Sequence, residues 1–175
     1  MDLTLERLNV MATSPDKSVQ ARMSNAAGLQ VKLEPGTVDR HTERSLGTQL
    51  TAAVNGAITG YRKGAAKAFG VLRAQWGMPS RSDADPELQD EPQTVTTSGA
   101  GNVSVRMRGE TVTAVGLHPG TLRRISEPEL LDELRDALLS AMTRHAELIT
   151  AKSRTTATAT PRPLERTASW RTTSK

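Results

Sequence analysis

Apolar residues recur along this chain in two rhythms, first every second position and then every third or fourth, and the pair of rhythms occurs twice. Val103, Val105 and Met107 alternate with Ser104, Arg106 and Arg108, the spacing of a strand with one buried face. Arg108-Gly109-Glu110 follows as a turn, with Gly109 free to take a positive φ, and Thr111–Leu117 reads as the return strand. An earlier strand is expected near Gln93–Thr97, joined through the turn residues Ser98-Gly99-Ala100-Gly101. Pro119-Gly120 ends the strand region, because proline has no N–H to give to a ladder. Ser126-Glu127-Pro128-Glu129 then has the form of a helix N-cap with a capping box, and Leu130, Leu134, Leu138, Ala141 and His145 repeat at helical spacing.

The first half of the chain follows the same plan. A strand is expected near Leu8–Thr13, then the turn Ser14-Pro15-Asp16-Lys17, then a hairpin turning at Ser24-Asn25-Ala26 and ending at Pro35-Gly36. Thr42 or Ser45 is placed to cap a helix whose apolar stripe is Leu46, Leu50, Val54, Ile58, Tyr61, Phe69 and Leu72, running toward Trp76. Gly56, Gly60 and Gly64 each weaken that helix by up to about 1 kcal/mol relative to Ala, or else permit close helix approach.

The two plans superpose without a gap at an offset of 84 residues. VKLEPGTVDR at 31–40 lies over VGLHPGTLRR at 115–124, and 17 of the 47 pairs from 13–59 against 97–143 are identical. Two copies are too few for a solenoid and point to a duplicated unit. The expected class is α+β: two tandem units, 1–76 and 93–151, each with an antiparallel sheet of about three strands packed on helices. Residues 77–92, with three prolines and five acids, read as an acidic flexible linker, and the Thr-, Ser- and Arg-rich residues 152–175 as a disordered basic tail.

Composition narrows the chemistry. With 2% aromatic residues, any core must be aliphatic. There is no cysteine, hence no disulfide framework, thiolate metal site or cysteine nucleophile. No apolar run approaches the roughly 20 residues that span a bilayer, and the N-terminus lacks the form of a signal peptide, so a cytoplasmic protein is expected. His41, His118 and His145 are too scattered for a local metal motif, and Gly99-Ala100-Gly101 precedes a strand rather than a helix, unlike a dinucleotide fingerprint. No cofactor, metal or catalytic constellation is expected. The net charge of +4 is uneven: 1–76 carries +4, 77–101 carries −4, 102–151 carries −1 and 152–175 carries +5.

The stretch from Ser98 to Gly109, then Val115-Gly116-Leu117-His118-Pro119, then the helix Leu130–His145, resembles the YbaB/EbfC family of small nucleoid-associated proteins. Ala12-Thr13-Ser14-Pro15-Asp16-Lys17-Ser18-Val19 resembles the opening of actinobacterial members. The likeness spans roughly 8–64 and 92–148. It implies a long N-terminal helix, a three-stranded antiparallel sheet and a C-terminal helix, with homodimers that bind DNA with little sequence preference. It also implies a rival, because related domains occur among accessory proteins of type VII (ESX) secretion loci. Here the first copy has almost no room for the N-terminal helix. The second copy has Lys63–Trp76 to borrow for it, and the family's homodimer becomes an intramolecular pseudo-dimer.

On this reading the partner is double-stranded DNA, held through its phosphates in the nucleoid, with no membrane contact. The candidate contacts are Lys17, Arg22, Lys32, Arg62, Lys63, Lys67, Arg73, Arg106, Arg108, Lys152 and Arg154. Arg22 and Arg106 occupy equivalent places in the repeat, whereas the charge difference between copies puts most of the contact in the first copy and the tail. Trp170, alone among polar and basic residues, is a candidate anchor for a protein partner.

Overall fold

A computed structural model describes residues 8–75 and 93–158, with side chains for 8–69, 93–148, 150 and 151. The linker at 77–92 lies outside the described residues. The architecture is α+β, with two three-stranded antiparallel sheets and two long helices. Strands β1 (Asn9–Thr13), β2 (Val19–Ser24) and β3 (Gly28–Leu33) form the first sheet in the order β1-β2-β3. A single turn α1 (Thr37–Arg40) and the helix α2 (Glu43–Gln75) follow. Strands β4 (Gln93–Thr97), β5 (Val103–Arg108) and β6 (Thr111–Leu117) form the second sheet in the order β4-β5-β6, followed by α3 (Thr121–Arg124) and α4 (Glu127–Thr158).

Residues identical in the two copies include core positions such as Val19 and Val103 or Leu46 and Leu130, and others that close turns and caps. Ser14 and Ser98 each donate a backbone N–H to the carbonyl of the strand ahead, at Val19 and Val103. Each also accepts the N–H of that same valine on its hydroxyl. Gly36 and Gly120 sit at φ 72° and 80°, a left-handed conformation that turns the chain out of the sheet and into a helical turn. Arg40 and Arg124 donate back to the Gly36 and Gly120 carbonyls. The threonines after the glycines are fully buried. Thr37 donates to the Glu34 and Ser18 carbonyls, and Thr121 to that of Asn102. The turn at Lys17 and Gly101 needs φ of 63° and 81°, and Lys17 adopts it without being glycine.

The hairpins keep equal length by different means. In the first, three residues separate Ser24 from its partner Gly28. In the second, two residues separate Arg108 from Thr111, and a bulge between Arg106 and Met107 takes up the extra residue around Thr113. A gap-free repeat therefore survives a change of turn. Thr42, rather than Ser45, caps α2, since its hydroxyl accepts the Ser45 N–H. Glu129 reaches back to the Ser126 N–H as a capping box requires. Helix α4 runs to Thr158, so residues 152–158, expected as the start of a disordered tail, are helical. Once a helix exists each added residue gains a hydrogen bond without a new nucleation cost, and no proline interrupts before Pro161. The rest of the tail lies outside the described residues.

The buried residues of both halves form one cluster, built from Leu46, Leu50, Val54 and Ile58 of α2, Leu130, Leu134 and Leu138 of α4, and the inward valines of β2, β5 and β6. The apolar stripe of α2 emerges from the core beyond Ile58, and Phe69 is 53% exposed. Helix α2 packs on β1 and β2 of its own sheet and also on β6 of the other. Its glycines set both approaches. A Cβ at Gly56, Gly60 or Gly64 would stand 2.9, 2.7 or 2.8 Å from the side chains of Ala12, Val10 and Leu8, so the glycine row is the groove in which β1 lies. Nine positions before Gly56, about half a turn round the helix, Gly47 faces β6, where a Cβ would meet the Val115 carbonyl oxygen at 2.5 Å. Thr51 Oγ1 accepts the Val115 N–H at 2.8 Å, and Glu43 Oε1 accepts that of Gly120 at 2.9 Å.

Substituting Gly60 by Val tests this seating. On helix propensity alone the change is favourable by a few tenths of a kcal/mol. With Val10 in the way it is expected to destabilise by about 1–3 kcal/mol, read from urea unfolding. A neutral or stabilising result would refute the close approach.

Candidate nucleic-acid interface

Each sheet has one face on the core and one in solvent, and alternation along the strands decides which side chains go where. The solvent face of the first sheet carries Met11, Arg22 and Gln30 in register across its three strands, with Lys32 opposite Gln20. The second sheet carries Val95, Arg106 and Ala114 in the same row, and Arg108 opposite Gln93. All four cations are exposed. Arg22 is oriented by a 2.8 Å hydrogen bond from its Nε to Asn9 Oδ1. The six strands contain no Asp or Glu. Met11 and Val95, at equivalent positions, are also exposed, at 68% and 51%.

The acids of the second half lie elsewhere. Glu127, Glu129, Asp132, Glu133, Asp136 and Glu147 are all on α4, and Glu110 is in the β5–β6 turn. The charge contrast between the copies therefore belongs to a helix, and the two sheet faces are alike in being basic.

Of the other candidate cations, Lys17 is exposed in the β1–β2 turn, and Lys63 and Lys67 are exposed on α2, away from the sheet faces. Arg62, also on α2, is ion-paired to Glu110 across the two halves, which reduces what it has to offer a phosphate. Arg73, Lys152 and Arg154 lie on the helices, with their side chains outside the described set. The structure thus brings together Arg22 with Lys32 and Arg106 with Arg108, and places the helix cations apart from them.

One cluster was not legible as a unit in the sequence. Asp16 accepts hydrogen bonds from the Ser14 and Ser18 hydroxyls at 2.7 Å each and from the Ser18 N–H at 3.0 Å. His41 Nε2 lies 3.1 Å from Asp16 Oδ2, and His41 Nδ1 lies 2.8 Å from Ser45 Oγ. The cluster ties the β1–β2 turn to the start of α2. Its equivalents in the second copy are Ala100, Ile125 and Glu129, and there Glu133 instead binds Ser98 and Asn102, while Asp136 accepts the Gly99 N–H. Partial burial opposes ionisation of Asp16, but the Ser18 and Ser14 hydrogen bonds and the neighbouring His41 outweigh it and lower the pKa from 3.8 to about 2. Burial likewise opposes ionisation of Glu133, and bonds from Ser98 and Asn102 bring its pKa below the ordinary value. His145 is buried, 6% exposed, and neither ring nitrogen has a hydrogen-bond partner.

Among the described residues no group of three or more His, Cys, Asp or Glu side chains is placed to hold a metal ion, and no helix is long and apolar enough to cross a membrane. Compared with protein-family models, curated proteins and solved structures, the chain gives no match.

Because the Asp16 pKa is lower folded than unfolded, its contribution to stability is present above the unfolded value and is lost as pH falls through the folded one. The stability difference between the wild type and Asp16→Asn is therefore expected to shrink as pH drops from 3.8 toward about 2. Denaturant midpoints of both proteins over that range measure it, and a difference independent of pH would remove the cluster's electrostatic role.

Proposed function

We propose that the protein is a non-enzymatic, nucleoid-associated DNA-binding protein of YbaB/EbfC type, in which the two units act as an intramolecular pseudo-dimer and hold duplex phosphates with little sequence preference. The observation that carries this reading is the pair of acid-free sheet faces with Arg22 and Arg106 at equivalent positions. Phosphate contact needs cations on an accessible, relatively flat surface and no base-reading geometry. The acids of α4 lie on a helix and leave both faces free of opposing charge, which favours a two-armed contact over one confined to the first copy.

A salt titration of duplex binding tests the proposal. Affinity is expected to fall linearly on a log-log plot against salt concentration, and charge reversal at Arg22 and Arg106 together to reduce the slope by about 1–2. Reversal at Lys63 and Lys67 is expected to change it less. Absence of binding at about 50 mM salt, where phosphate contacts are strongest, would overturn the reading in favour of a protein-interaction adaptor, such as a secretion accessory factor.

A further inference from the structure

The two halves differ where each long helix meets the outer strand of the opposite sheet. At the α2–β6 junction, Gly47 and Thr51 bring the helix against the strand, and Thr51 takes the outward N–H of Val115. At the equivalent α4–β3 junction the corresponding helix residues are Leu131 and Arg135, facing Val31. These bulkier side chains hold α4 off β3 and leave a cavity of about 300 Å³. Its apolar wall includes Val31, Leu138, Leu139 and Met142, and Asp132 and Arg135 stand beside it. Leu139 is 56% exposed, although it lies on a helix whose neighbouring leucines are buried. Neither Asp132 nor Arg135 forms an ion pair among the described residues.

We infer that this cavity is the seat of the chain's own Trp170, carried by the segment 159–175. Three observations select that occupant. The first is reach: Thr158 lies about 29 Å along α4 from Leu139, at 1.5 Å per residue. The 12 residues from Thr158 to Trp170 span up to about 40 Å when extended. The second is chemistry. An indole suits an apolar wall with a guanidinium at the mouth, which stacks on its face. The third is charge: Arg166 and Arg171 flank Trp170 on either side, and the unpaired carboxylate beside the cavity is Asp132. Tethering makes the contact intramolecular, so modest intrinsic affinity is enough to fill it. The seated indole closes at α4–β3 the junction that Gly47 and Thr51 close at α2–β6. This inference does not depend on DNA binding.

Fluorescence of the full chain carrying Trp76→Phe, which leaves Trp170 as its sole tryptophan, tests it. Emission is expected to be blue-shifted, and acrylamide quenching several-fold weaker than for a free peptide of residues 159–175. Adding Leu139→Asp is expected to restore peptide-like values. The exposed pair of changes Asp132→Arg and Arg135→Glu, which touches no core residue, is expected to weaken protection partially. Solvent-like emission in the parent would overturn the inference, as would protection unaffected by both groove variants. Protection that vanishes on dilution together with a halving of mass would assign the seat to a second copy's tail and overturn the intramolecular form.

Discussion

The placement of α2 between two sheets is the constraint on which the rest of the structure depends. One helix must lie close enough to β1 for Leu8, Val10 and Ala12 to fill its glycine row, and close enough to β6 for Thr51 to take a strand N–H. A chain with 2% aromatic residues has few large side chains with which to span wider gaps, so close backbone approach supplies the packing instead. Each glycine weakens an isolated helix, and the helix is stable here because tertiary contact outweighs propensity. The buried residues of the two halves consequently form one core rather than two.

Much of this was legible in the sequence. Alternation marks the strand at Val103–Met107, the repeat carries the plan to the first copy, and the strands expected near Leu8–Thr13, Gln93–Thr97 and Thr111–Leu117 fall within a residue or two of β1, β4 and β6. The glycine row suggests either a weakness or close helix approach, but the element that lies against it is the strand β1, because Val10 and Ala12 fill the space its missing side chains leave. Other features were hidden for physical reasons. The single turns α1 and α3 are nucleated by left-handed glycines after proline, a signal that reads equally well as a simple end of strand. The bulge near Thr113 cannot be seen in a gap-free repeat, because it exchanges a loop residue for a strand residue. The Asp16–His41–Ser45 cluster joins residues from the β1–β2 turn, the end of α1 and the first turn of α2, and only the fold brings them together.

The candidate cations sort differently along the chain and across the faces of the fold. Charge counted along the chain made the second copy acidic and the first basic. Charge sorted by face gives a different picture, since the acids of the second copy lie on α4 and in one turn, while both sheets expose arginine without any acid. Segment sums mix the two faces of every element, and alternation separates them. Arg62 shows the opposite error: it counts as a free cation in the sequence and is held by Glu110 in the fold.

Lysine footprinting with and without duplex DNA tests the central claim most directly, because it reports which face is covered. Acetylation of Lys32, on the face of the first sheet, is expected to be suppressed by the duplex, with Lys63 and Lys67 on α2 modified as before. Protection of Lys63 and Lys67 with Lys32 unchanged would contradict the sheet-face interface.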